Sequence, residues 1–116
     1  MTELIKDYKV QGFNVTICRI TTIWRSWYTV YIGKDKFLKK LFEDDLEGRV
    51  FCHGGITWND IYPFKAPKSK LTGKEVIGWD YCHTGDESTT EEMVLSDVED
   101  TVSDIVALER CGDLAW

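Results

Sequence analysis

Hydrophobic and polar positions alternate over residues 13–20, where Val15, Ile17 and Ile20 supply β-branched side chains and predict a strand. Residues 23–32 repeat the alternation with aromatics. Trp27, Thr29 and Tyr31 share one face, and Tyr28, Val30 and Ile32 share the other. Both faces are apolar or aromatic, so this strand is expected in the middle of a sheet, covered at least in part on each side. Residues 19–22 carry no strong turn signal between the two strands. After Gly33, Asp35 is placed to cap a short helix reaching about Leu46, with Phe37, Leu38, Leu41 and Phe42 as its apolar stripe and Gly48 at its C-cap. Residues 49–58 then predict a short strand broken by Gly54 and Gly55. Residues 59–73, with both prolines, predict a loop of unusual length for a compact domain. Residues 74–82 return as a strand through Val76, Ile77 and Trp79.

The last stretch has helical spacing. Ser88-Thr89-Thr90-Glu91 fits a capping box, and acidic residues crowd the first turn, as the helix dipole favours. Val94, Leu95, Val98, Val102, Ile105, Val106 and Leu108 form a stripe that runs to Arg110, and Gly112 is expected to stop the helix. The order β-β-α-β-β-α lacks βαβ alternation. It predicts an α+β fold: a mostly antiparallel sheet of about four strands packed against a short helix and a long amphipathic C-terminal helix. No Pro- or Gly/Ser-rich tract interrupts the 116 residues, so 1–116 is read as a single domain. Five each of Trp, Tyr and Phe offer large buried area per residue, which helps a small core.

Charge changes this picture mainly at the C-terminus. Residues 1–40 hold eight Lys/Arg against three Asp/Glu, residues 41–85 five against seven, and residues 86–116 one against ten. An acidic end of this kind argues against direct nucleic-acid binding, whose footprint is a concentrated basic surface. It suits a protein partner with a basic surface, through Glu91, Glu92, Asp97, Glu99, Asp100 and Asp104, although the ordinary meaning of such a run is a solvated helix face. No apolar run approaches the roughly 20 residues that span a bilayer, and residues 1–10 lack the apolar core of a signal peptide, so a cytoplasmic protein without membrane attachment is expected. Cys18, Cys52, Cys82 and Cys111 are far apart, without C-x-x-C spacing, and read as free thiols.

Chemistry concentrates in two segments. The only histidines, His53 and His83, sit in Cys52-His53-Gly54-Gly55 and in Asp80-Tyr81-Cys82-His83-Thr84-Gly85-Asp86. If the strands beside them are neighbours, His53 and His83 converge with Asp80 and Asp86. Imidazole with carboxylate can hold a divalent metal or serve as general acid and base near neutral pH. Gly54 and Gly55 would let backbone N–H groups approach a ligand closely. The alternative is structural: the glycines form a bulge or tight bend, and the Asp–His pairs satisfy loop backbone groups. A Cys2His2 zinc site is disfavoured, because neighbours along a strand point to opposite faces. One member of each Cys-His pair with Asp80 or Asp86 is the better metal set. Tyr28, Tyr31, Trp58, Tyr62 and Trp79 offer a stacking platform for a base or, more ordinarily, core and sheet surface. No P-loop, G-x-S-x-G elbow, dinucleotide fingerprint or H-E-x-x-H is present, so no catalytic residue is assigned.

The segments His53-Gly54-Gly55-Ile56-Thr57-Trp58 and Ile77-Gly78-Trp79-Asp80-Tyr81-Cys82-His83-Thr84-Gly85-Asp86 occur in that order before an amphipathic helix. Together they resemble a family of small uncharacterised bacteriophage and mobile-element proteins. That family's pattern is H-G-G-[IL]-T-[YW] followed by [IV]-G-[FW]-D-x-x-H-x-G-D. The aromatic strand around Trp27 to Gly33 is similar to the segment preceding it, so the likeness spans roughly residues 25–110. It maps onto His53, Gly54, Gly55, Thr57, Gly78, Asp80, His83, Gly85 and Asp86. One position departs: the family pattern has Cys directly after the Asp of the second motif. Here Tyr81 stands there and Cys82 follows one place later, which speaks against a shared cysteine mechanism. The resemblance implies a phage setting rather than a reaction.

Two readings follow. The first is a phage-type accessory protein acting by binding in the host cytoplasm, such as an anti-CRISPR-like antagonist of a host defence complex that uses the acidic surface. The alternative is a small metal-assisted hydrolase or ligand-binding protein with a His/Asp site.

Overall fold

In the computed structural model, which describes residues 1–43 and 50–115, the chain begins with a strand that alternation does not reveal. β1 (Thr2–Val10) pairs antiparallel with β2 (Phe13–Thr21) across Gln11 and Gly12. Both turn residues have positive φ, 48° and 89°, the backbone a two-residue hairpin needs for strands with right-handed twist. β1 is hidden in the sequence because it is an edge strand. Glu3, Lys6, Asp7 and Lys9 interrupt its pattern, and a register shift between Leu4 and Lys6 breaks the period. Charges and bulges are how edges avoid pairing with other chains.

β3 (Ser26–Gly33) pairs with β2 on one side and with β5 (Glu75–Asp80) on the other. β5 also pairs with β4 (Trp58–Ile61). The order is β1-β2-β3-β5-β4, antiparallel throughout, with β3 in the middle. The fold is therefore α+β, with five strands among the described residues rather than about four. The strand expected over 49–58 is not formed in the described residues 50–57; β4 begins only at Trp58, the last residue of that stretch, and runs on through Ile61 into the expected loop. Residues 44–49 lie outside the described residues, and with them the expected helix end near Leu46, the Gly48 cap and Arg49.

One face of the sheet carries the main core. Val15, Ile17, Val30, Ile32, Ile77 and Trp79 are buried there with Leu38, Leu41 and Phe42 of α1 (Lys36–Glu43) and Val94, Val98, Val102 and Ile105 of α2 (Glu91–Ala115). Each such aliphatic side chain gains about 1.5–3 kcal/mol by leaving water. Asp35 caps α1 as expected, its Oδ1 accepting the Leu38 N–H at 2.8 Å. At α2 the cap is Thr90, whose Oγ1 accepts the Met93 N–H at 3.2 Å. Residues 86–88 form a separate 3-10 turn, so the Ser88–Glu91 box is not the one used. The helix also continues past Gly112 to Ala115. Among the described residues no helix is long and apolar enough to cross a membrane.

The opposite face is only partly covered. Tyr62, Phe64 and Leu71, from the stretch between β4 and β5, pack on Tyr31 and Val76. Tyr62 and Phe64 meet the Tyr31 ring edge-on, at 5.5 and 5.7 Å between centroids. Asp7 fastens that stretch: one carboxylate oxygen accepts the Thr16 hydroxyl at 3.0 Å and the other the Lys70 N–H at 2.9 Å.

Candidate functional site

At the C-terminal end of β5 the chain leaves the sheet through Tyr81 and turns back over residues 82–88. Gly85 takes φ 94°, the left-handed conformation that glycine adopts without strain, and this directs Asp86 inward. The Asp86 side chain is only 8% exposed. Its Oδ1 lies 2.8 Å from Nε2 of His53, and its Oδ2 accepts the His83 backbone N–H at 2.9 Å and faces His83 Nδ1 at 3.3 Å. The two imidazole centroids are 6.0 Å apart. Two segments thirty residues apart in sequence thus meet on one carboxylate. His53 and His83 remain 36% and 45% exposed, so solvent reaches the side of the cluster away from Asp86.

Burial by itself would raise the Asp86 carboxyl. The His83 backbone N–H, the hydrogen bond and charge of His53 and the His83 ring together outweigh it and hold the group below the ordinary carboxylate range. The sign for stability follows from that depression. Asp86 contributes stability above its unfolded-state value, and the contribution is lost as pH falls through the lower folded value. Urea unfolding of wild type and Asp86→Asn is therefore expected to differ most at neutral pH and to converge under acid conditions below the normal Asp range. Parallel curves throughout would remove the carboxylate from the stability account.

Each neighbour has a definable task. His53 stacks on Tyr81, with centroids 4.5 Å apart and planes 16° from parallel. Tyr81 is buried, accepts the Trp79 indole N–H at 3.2 Å and donates to Asp97 at 2.7 Å. Burial, reinforced by Asp97, pushes its hydroxyl well above the usual tyrosine value, so it stays a neutral donor. Gly54, at φ 71°, lies so close to the His83 ring that a Cβ there would fall 2.6 Å from Cε1. Gly54→Ala is expected to displace His83; a cation held by the cluster would then bind about 10–100-fold more weakly, the usual cost of disturbing a ligand's support, measured by calorimetric titration. Unchanged affinity would show that the close approach is incidental. Gly55 has positive φ and open space around its Cβ position, so its role is the turn itself.

The remaining expected residues separate. Asp80 is not part of the convergent set. Its Oδ1 accepts the Cys82 N–H at 3.0 Å, its Oδ2 accepts the Thr57 hydroxyl at 3.1 Å, and His83 Nδ1 stands 3.8 Å away. Thr57 thus anchors Asp80 and does not face Asp86. Among the described residues the group able to hold a metal is His53, His83 and Asp86, without either cysteine. Burial pushes the Cys52 thiol up to about 11, partly offset by a backbone hydrogen bond from Gly55, so it is a protonated thiol and not an activated nucleophile. The five aromatics of the expected platform divide between the two faces: Trp79 is buried in the helix-side core, whereas Tyr31 and Tyr62 are buried opposite. On α2, Glu91, Glu92, Glu99, Asp100 and Asp104 are exposed, but Asp97 is half-buried against Tyr81. That contact pairs Asp97 with Tyr81, 16 residues away in sequence, and nothing in the helical pattern pointed to it.

No protein-family model, curated protein or solved structure matches this chain.

Proposed function

We propose that the chain is a small ligand-binding protein or metal-assisted hydrolase that holds a divalent cation through His53, His83 and Asp86. The observation that supports this reading is the convergence of one ligand atom from each residue, all within 4.8 Å of one another. Three protein ligands with solvent on the remaining side is the pattern of a catalytic centre rather than a closed structural one. A cation held there would polarise a phosphoryl or carbonyl oxygen and lower the pKa of a bound water. Asp86 supplies the charge. His53 is held flat by Tyr81, and His83 is held in place by the Asp86 contact to its backbone and by the absence of a side chain at Gly54. The test is the metal content of untagged protein purified without chelator. About one equivalent is expected, lost in His53→Ala and in His83→Ala without unfolding. Metal-free protein that also takes up no zinc or manganese on titration would overturn the reading.

A second reading is favoured by a separate observation. Glu91, Glu92, Glu99, Asp100 and Asp104 are exposed along one helix, and among the described residues none of them makes an ion pair with Lys or Arg. This supports a phage-type accessory protein in the host cytoplasm that competes for a basic groove, as an antagonist of a host defence complex would. Association of that kind is fast and strongly screened. Binding to a lysine-rich polypeptide bait should weaken at least about tenfold between 50 and 500 mM salt, and further on charge-reversing Glu99 and Asp100. Salt-insensitive binding would argue against the acidic face.

A further inference from the structure

Where the covering stretch of residues 62–73 stops, the open face of the sheet keeps a groove of about 200 Å³. Strand register explains its shape. Thr29 of β3 stands opposite Asp80 of β5, and Tyr31 and Trp58 both stand opposite Gly78, which contributes no side chain. Ile20 of β2 lies opposite Trp27. The result is a recess with Ile20, Trp27, Tyr31 and Trp58 around it and Thr29 and Asp80 in its lining.

We propose that this groove binds an organic cation, a quaternary or methylated ammonium group. Trp27, Tyr31 and Trp58 stand on the same face of the sheet as the Asp80 carboxylate, with no lysine or arginine in the lining, which brings aromatic surface and negative charge together. That combination favours a poorly hydrated cation by cation–π attraction and Coulomb attraction at once. A phosphate or carboxylate ligand meets only repulsion from Asp80. The Asp80 oxygens each hold one protein donor, Cys82 N–H and Thr57 hydroxyl, which fixes the carboxylate in place at the groove. The Arg25 guanidinium already lies 5.8 Å from the Trp27 ring centroid, an intramolecular instance of the same attraction. The volume is below that of drug-sized pockets and suits a headgroup. The inference is independent of the His53/His83/Asp86 site, since none of those residues lines the groove.

The experiment is titration of tryptophan fluorescence with choline chloride, against 3,3-dimethyl-1-butanol as the uncharged isostere and sodium chloride at matched ionic strength. A saturable response to choline is expected, with the isostere at least about tenfold weaker. Trp58→Ala and Asp80→Asn should each weaken choline binding about tenfold, while His53→Ala leaves it unchanged. Trp58 lies on the exposed edge strand, so its variant keeps the fold. The comparison of choline with its isostere needs no variant at all. No saturable response, or equal responses to the two compounds, overturns the proposal; the latter would mark an apolar groove only.

Discussion

Asp86→Ala should abolish divalent-cation binding and also lower the stability of the metal-free protein by about 2–3 kcal/mol, whereas His53→Ala and His83→Ala abolish binding at a cost nearer 1 kcal/mol. The difference follows from burial. Asp86 is nearly enclosed and receives the His53 ring and the His83 backbone N–H, contacts to a charged acceptor worth about 1.5–3 kcal/mol each in favourable cases. The histidines are partly solvated, so removing either ring releases a group that water can replace. Denaturant midpoints with and without added zinc measure both effects. Zinc should stabilise wild type in proportion to the logarithm of its concentration above Kd and should leave all three variants unmoved. If the histidine variants retain zinc stabilisation, the ion sits elsewhere and the cluster is a structural tie between loops.

Gly78→Ala should be the most damaging single methyl in the sheet, at about 3 kcal/mol, read as a lowered thermal midpoint. A Cβ at this position would stand 2.7 Å from Tyr31 Cδ1 and 2.7 Å from the Val30 carbonyl oxygen. The ring could turn, but the carbonyl belongs to the pairing of β3 with β5 and cannot yield without breaking the ladder. Overpacking a close-packed site of this kind costs about 1–3 kcal/mol, occasionally more. The first glycine of the second motif, Gly78, is thus explained by packing, with no ligand involved. A variant as stable as wild type would mean that β5 can shift along its neighbours.

Much of this architecture can be read from side-chain order alone, for reasons particular residues make clear. The stripe Val94, Val98, Val102 and Ile105 predicts α2, because only a helix brings that spacing onto one face. The two-sided apolar pattern of residues 27–32 places β3 in the centre. β1 escapes because an edge strand need not alternate. β4 escapes because all four of its residues are exposed and none signals a core face. The site shows the same division. His53, His83 and Asp86 stand out as rare groups near glycines, but their meeting on one carboxylate depends on the turn at Gly85. Asp80 looks equivalent to Asp86 in sequence. It is set apart only by lying on the strand, where its side chain takes the opposite face from Tyr81. The recess between Trp27 and Trp58 is a product of cross-strand register, which no local pattern encodes.

The hydrogen bonds that tie α2 to the two site segments have a consequence for control. The Thr101 hydroxyl donates to the Phe51 carbonyl at 2.9 Å, two residues before His53, and Asp97 accepts the Tyr81 hydroxyl on which His53 stacks. The helix that bears the exposed carboxylates therefore holds both the backbone before His53 and the ring beneath it. A macromolecule gripping its outer side and an ion held at His53 would draw on the same few bonds. Thermodynamic reciprocity then requires that whatever factor the first changes in the affinity of the second, the second returns to the first.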